Sequence, residues 1–445
     1  MYIKITIITI FFIIPVLCNP LYAQEKKKEA AKEAPEAVED QDDQDEKIQE
    51  MEQIIRDLQK KVEKKEKEDE LENLLKEAEQ LSSKQKEEEE SVSKRFHSGT
   101  RQQQGLNPNI SLGGDFFAGV SSTDDPAITE PGDMHYGNNG FYMREMEMAF
   151  VSPLDPFTRG KAFICVSEDG VEIEEGYIEW LNLPLNMNLK TGIFAAGFGP
   201  LNRYHDHALP QHDRPRALVN YFGLGPLGGT GLASNFLLPR LLWANSSILD
   251  FSVIRGGNDI SFTSQGKYNL LYIAKWNNYY DLSDNSYLEY NISGVTGKND
   301  TEEEYNSYVG SVGLTYKWAP GDRSKYRTLE WKTEFLYGYR EGLSGDEESK
   351  GFYSSIQNKL GSRFWIAGRV GYSELPYDNS RYDLDYTLCL DFWQSEFVLL
   401  RLQYQYNQRD YNYLNNEGVV ANLPSDHSFL VQICWAMGPH KHEAY

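Results

Sequence analysis

The chain has 445 residues, with Lys+Arg 44 against Asp+Glu 67 and a formal net charge of −23. A balance that acidic excludes nucleic acid as an expected partner. The mean hydropathy of −0.58 excludes a helical membrane protein but not a barrel, whose lumen and loops are polar.

Lys4 precedes an apolar run from Ile5 to Leu17, and Leu21-Tyr22-Ala23 follows. This is the pattern of a secretory signal peptide, residues 1–23, with the cut after Ala23. No later run of about 18 apolar residues follows, so a bilayer role requires a closed barrel. Residues 24–46 are charged, without apolar periodicity, and are expected to be disordered. Ile48, Met51, Ile55, Leu58 and Val62 then follow a 3-4 spacing, which breaks near Lys65–Asp69 and resumes as Leu71, Leu74 or Leu75, Ala78 and Leu81. We read residues 47–95 as an oligomerising α-helical coiled coil in the periplasm; a solvated single helix is the alternative. Residues 96–106 form a linker.

From residue 107 to 445 the period changes to two. About sixteen strand-like runs fall near 108–119, 140–151, 159–168, 171–181, 186–196, 229–239, 246–255, 268–280, 284–296, 306–318, 328–341, 350–360, 363–374, 381–392, 395–408 and 427–437. Their length suits a tilted membrane strand of about 9–11 residues. The pattern is sharpest at 382–406. There Tyr382, Leu384, Tyr386, Leu388, Leu390 and Phe392 share one face, with Asp383, Asp385, Thr387, Cys389 and Asp391 opposite. After a turn at Trp393-Gln394, Val398, Leu400, Leu402, Tyr404 and Tyr406 lie opposite Arg401, Gln403 and Gln405. Dense charge on one face and aromatics on the other predict water within and lipid outside.

The connections alternate in length. Those at 120–139, 197–228, 297–305 and 409–426 are long and polar, as outward loops are. Those at 152–158, 182–185, 361–362 and 393–394 are short, as periplasmic turns are, while 168–170 and 319–327 break the rule. The prediction is therefore an all-β fold: a transmembrane antiparallel β-barrel of about 16 strands in the cell outer membrane, following a periplasmic coiled coil. Glu145, Glu147, Glu330, Lys332, Glu334, Arg369, Asp383, Asp385, Asp391 and Arg401 become pore-wall charges. Cys165, Cys389 and Cys434 sit singly inside strand runs, without metal or redox spacing.

The segment 197–228 holds three of the eight histidines. Its Gly and Pro permit tight bends, and Ala208, Leu209, Leu218, Val219, Tyr221 and Phe222 suit packing against a wall. It is read either as a pore constriction bearing Arg203, His205, Asp206, His207, His212, Asp213, Arg214 and Arg216, or as a packed loop whose charges pair locally. His205, His207 and His212, with Asp206 or Asp213, are also candidate zinc ligands. His440 and His442 are a second, incidental pair. Carboxylates spaced by two, such as Glu175 and Glu179, follow from a wetted strand face. No Ser-nucleophile motif, phosphate-binding Gly loop or zinc-protease helix is present, so no enzyme is expected.

The stretches REMEMAFVSPLDPF (144–157), VEIEEGYIEW (171–180) and LKTGIFAAGFGPLNRYHDHALPQHDRP (189–215) carry a resemblance. Over residues 105–445 the chain resembles Gram-negative outer-membrane porins. It is near the phosphate-selective porin type and the barrels labelled zinc-regulated outer-membrane receptors. The resemblance implies a porin-like barrel assembled as a trimer, with an N-terminal coiled coil. The runs show no lysine-rich inner face of the kind phosphate selection uses, and the chain is short for a plugged transporter of roughly twenty-two strands. The expected function is passive diffusion of small hydrophilic solutes or ions through a water-filled barrel narrowed by 197–228. Lipid, small solutes and copies of itself are the expected partners, with no cofactor unless zinc binds. The acidic excess predicts a mild cation preference. The alternatives are a zinc-linked receptor using the histidine loop and a structural anchor with a periplasmic tether.

Overall fold

Alternating side chains give each run one wetted and one apolar face, and pairing both edges of every strand leaves no backbone group without a partner in hydrocarbon. The computed structural model describes Gln53, residues 108–122 and residues 139–438 apart from 169, 268, 322–323, 344, 411, 415–419 and 423–424. The expected signal peptide, charged segment, coiled coil and linker therefore lie outside the described residues except for Gln53, as do His440 and His442.

The strands are β1 (Asn109–Ser121), β2 (Gly140–Pro153), β3 (Thr158–Ser167), β4 (Gly170–Leu183), β5 (Met187–Ala195) and β6 (Gly228–Leu238). There follow β7 (Ser246–Arg255), β8 (Leu270–Ser283), β9 (Ser286–Lys298), β10 (Asn306–Trp318), β11 (Leu329–Arg340) and β12 (Glu347–Leu360). The last are β13 (Phe364–Leu375), β14 (Asp378–Ser395), β15 (Val398–Asp410), β16 (Asn412–Leu414), β17 (Val420–Asn422) and β18 (Asp426–Met437). All but β16 and β17, which pair only with each other, form one closed antiparallel barrel. β1 and β18 make the seam, with Leu112 opposite Met437 and Ser121 opposite Ser428. Each predicted run is one of the sixteen barrel strands. One turn is displaced: β14 continues past Trp393-Gln394 to Ser395, through an irregularity in its register with β15, and the chain reverses at 396–397.

Outside, Leu388, Leu390, Leu402 and Val431 are 41–55 % exposed, while the intervening Cys389, Gln403 and Gln432 are at most 2 % exposed. Aromatic rings pair across strands on this outer face, Tyr404 with Phe429 at 4.9 Å and Phe364 with Phe392 at 5.0 Å between centroids. Apolar side chains exposed on strand after strand, among them Leu232, Phe251, Ile292, Phe335 and Ile366, suit a lipid-facing wall. The interior is not simply open. Phe198, Leu201, Leu218, Tyr221, Phe222 and Leu227, from the β5–β6 connection, pack with Ile254, Ile273, Val295, Val309, Leu336 and Tyr353 of the wall. A hydrophobic core thus lies inside the barrel, where the wall pattern alone predicts water.

Candidate functional site

The β5–β6 connection, residues 196–227, enters the lumen and crosses it. Its neck is tied by Asn202, whose amide donates to Ala196 O (2.9 Å) and Leu227 O (2.8 Å) and accepts from Leu227 N (2.7 Å). At Gly199 the backbone turns with φ +50, and a Cβ there would run into the Glu334 carboxylate. The same residue donates its N–H to Ser293 Oγ (3.0 Å) and accepts from Lys275 Nζ (2.7 Å), which fastens the turn to β9 and β8. Farther on is a 3-10 turn, Asp206–Ala208, and a short helix α1, Arg216–Phe222, every residue of which is buried. The helix lies against β12–β14, with Tyr221 Oη donating to Ser349 Oγ at 2.8 Å.

Most of the predicted loop charges reach the wall. Arg203 pairs with Asp250 of β7 at 3.1 Å. Asp213 meets Arg369 of β13 at 2.8 Å and accepts from Gln403 and Gln405 of β15. Arg369 in turn holds Asp385 of β14 at 3.0 Å, and Arg216 reaches Asp383 at 3.3 Å. Asp206 and Arg214 instead pair with each other at 3.0 Å and brace the loop internally. Among the wall charges, Arg401 binds Asp391 at 2.8 Å and donates to Leu209 O. Glu334 accepts from Tyr353 Oη at 2.8 Å, and Lys332 pairs with Glu330. All ten predicted wall residues lie on the inner face.

The three histidines do not converge. His205 Nδ1 lies 2.5 Å from Glu147 and 3.0 Å from Glu174, its Nε2 lies 3.7 Å from Glu175, and His207 Nδ1 lies 2.9 Å from Glu145. His212 sits elsewhere, edge-on to Phe117 with centroids 4.6 Å apart. The trio His205, His207 and His212 is therefore corrected, and Asp206 and Asp213 drop out of it because each is taken by an arginine. Spacing along a loop does not say which wall a side chain meets.

Two residues that close this site escaped the alternation. β1 and β2 slip register between Asp115/Glu145 and Phe116/Met143, which leaves Arg144 as an extra residue turned inward. β3 and β4 slip between Phe163/Glu175 and Ile164/Ile173, which does the same for Glu174. Such bulges re-aim side chains at functional sites. Arg144 binds Asp115 and donates to His212 O at 2.5 Å. The available signal was two adjacent ionisable residues, Arg144-Glu145 and Glu174-Glu175, inside strands that otherwise alternate.

Burial acts against protonation of His205, but its carboxylate hydrogen bonds prevail and push it up to about 12; His207 is raised in the same way. Burial also opposes the Asp213 charge, yet Arg369 beside it holds the carboxyl below its usual range. For His212, burial and then the Arg144 charge act together and push it down from 6.5 to about 3. A depressed histidine favours the folded state above the unfolded value and loses that contribution as pH falls. Acidification through the window from 6.5 to about 3 should therefore weaken loop seating, by about 1.4 kcal/mol per pH unit for one proton. Urea unfolding in detergent between pH 7 and 4 should show a shallower acid limb in His212→Phe. Identical limbs would reject the assignment.

No family model matches the chain. An uncharacterized protein of Aquifex aeolicus (strain VF5) is 27% identical over 385 residues, spanning 75% of this chain and 79% of that protein. Among solved structures, OprB of Pseudomonas putida superposes with a TM-score of 0.52 at 9% identity, covering 75% of this chain and 95% of that one. The anion-selective porin from Comamonas acidovorans gives 0.51 at 10%, covering 74% and 100%. The outer membrane channel DcaP of Acinetobacter baumannii gives 0.50 at 13%, covering 76% and 99%. The fold is that of the outer-membrane porins. Within this barrel the loop leaves a cavity of about 1640 Å³ at the short-turn end, roofed by Gly199, Pro200, Tyr204 and residues 207–210. Lys317, Lys325, Lys332, Lys359 and Arg363 are in its wall. These lysines, which the strand runs did not reveal as a group, come from neighbouring strands and one turn and meet only in the closed barrel.

Proposed function

We propose that the protein is an outer-membrane channel for small hydrophilic solutes, in which residues 196–227 narrow a water-filled lumen. The observation carrying this reading is the polar cavity of about 1640 Å³ enclosed by a barrel whose exterior is apolar. Assembly as a trimer, implied by the resemblance, belongs to the same reading.

The cavity also supports a solute class. Eight basic side chains line it against five acidic ones. In a water-filled cavity with low-dielectric walls, local charge governs entry more than the charge of loops far away. The vestibule thus favours anions, contrary to the cation preference drawn from the acidic excess of the whole chain. Reversal potentials across a KCl gradient in planar bilayers should show anion preference, reduced in a Lys317→Gln, Lys332→Gln, Lys359→Gln variant. Cation preference in the parent protein would overturn the assignment.

A second reading, the structural anchor, draws on the hydrophobic core inside the lumen, since packing of that kind suits a permanent plug. Conductance separates the two. A silent parent that conducts only after the loop is removed supports the anchor, whereas small steady currents in the parent support the channel.

A further inference from the structure

The wall facing His205 and His207 gathers several ligand-type side chains around the two imidazoles of the loop. Four carboxylates, Glu145 and Glu147 of β2 with Glu174 and Glu175 of β4, converge on two imidazoles. The Cys165 thiol of β3 lies between them, 3.1 Å from Glu174 and 3.7 Å from Glu145. Glu147, His205 and His207 are at most 7 % exposed, so their polar atoms need partners, and Arg144 and Lys190 also act on the neighbouring Glu145 and Glu175.

We propose that this cluster is a binding site for a borderline divalent transition-metal ion, with Glu147, His205 and His207 as ligands and Glu145, Cys165 and Glu174 as the adjoining donors. Three observations support it. The ligand atoms of Glu147, His205 and His207 all lie within 4.8 Å of one another, and those of Glu145, Cys165 and Glu174 do likewise. Metal–ligand bonds of about 2.0–2.3 Å hold donor atoms roughly 3–4 Å apart, so small side-chain shifts complete the shell. Next, the β4 bulge turns Glu174 inward, where it lies 3.0 Å from His205 Nδ1 and accepts from Cys165 Sγ at 3.1 Å. Lastly, His207 borders the vestibule, which provides an entry path. Imidazole, carboxylate and thiol together favour zinc or its neighbours over calcium or magnesium, which take oxygen ligands. The ion would fasten the loop to β2–β4, so the site is a metal-held latch on the element that narrows the lumen.

The test is equilibrium dialysis of the refolded full chain against zinc chloride, in a background carrying His440→Ala and His442→Ala to remove the terminal pair. One zinc per chain is expected, undisplaced by millimolar calcium. Affinity should fall by about 100-fold or more in His205→Ala, His207→Ala and Glu147→Gln, and remain in His212→Ala. Where a variant fails to regain its folded, heat-modifiable gel mobility, the background protein itself answers. Cobalt(II) should give visible d–d bands of a low-coordinate site that zinc abolishes. No zinc on the folded protein, equal binding in every variant, or purely octahedral cobalt bands would overturn the proposal. Dialysis and conductance are independent, so the channel reading stands or falls separately.

Discussion

Removing residues 199–222 should raise single-channel conductance by on the order of tenfold, since an unfilled barrel of this strand number is wide enough for an aqueous channel. The deletion takes out both the segment that roofs the vestibule and α1, and with them much of the lumenal core built on Leu201, Leu218, Tyr221 and Phe222. The barrel wall keeps its own hydrogen bonds, because β5 and β6 pair directly from Met187/Phe236 to Ala195/Gly228 below the loop. The measurement is conductance of the refolded parent and deletion proteins in planar bilayers. Equal currents would mean that the loop does not limit passage. Silence in both would end the channel reading altogether.

Loss of Arg369 should have the largest effect of any single substitution. Its guanidinium is wholly buried and joins Asp213 of the loop to Asp385 of the wall, and it also donates to Asp213 O at 2.9 Å. A buried pair adds little relative to an apolar replacement, but removing one partner leaves the other charge without compensation. Arg369→Leu leaves two carboxylates behind, and the expected cost is about 3–5 kcal/mol. The loop can avoid much of that cost by lifting off the β13–β15 wall. Amide hydrogen exchange over residues 210–218 should therefore accelerate more than exchange in the strands. Uniform acceleration, or none, would show that Arg369 does not hold the loop.

The barrel was legible because the two faces of its strands meet opposite solvents, and alternation is what such a wall requires. Tyr386, Leu388 and Leu390 outside, with Asp385, Cys389 and Asp391 inside, express that requirement directly. What could not be read was wherever the period of two fails. Bulges at Arg144 and Glu174 reverse the phase for one residue, and strict alternation points both toward lipid. The irregularity after Trp393 hid the last residues of β14 in the same way. The loop was a different problem. Its composition announced packing and charge, but whether His212 joins His205 and His207 depends on a path across the lumen that local spacing does not contain. The vestibule's basic lining was hidden for a related reason: Lys332 and Lys359 line one cavity only once β11 and β12 pair.

The loop's path also bears on how the barrel is assembled. β1 and β18 zip together residues more than three hundred positions apart, such as Ser121 and Asp426, and contacts of that span are the slowest to form. His212 straddles that seam: its carbonyl accepts from Arg144 on β2, and its N–H donates to Gln403 on β15. Leu209 and Asp213 add further ties to β15, while His205 and His207 hold β2 and β4. A loop tied to the walls on both sides of the seam shortens the effective span that β1 and β18 must close, and a shorter span costs less entropy. The same segment that crosses the lumen thereby also ties together the two sides of the barrel's seam.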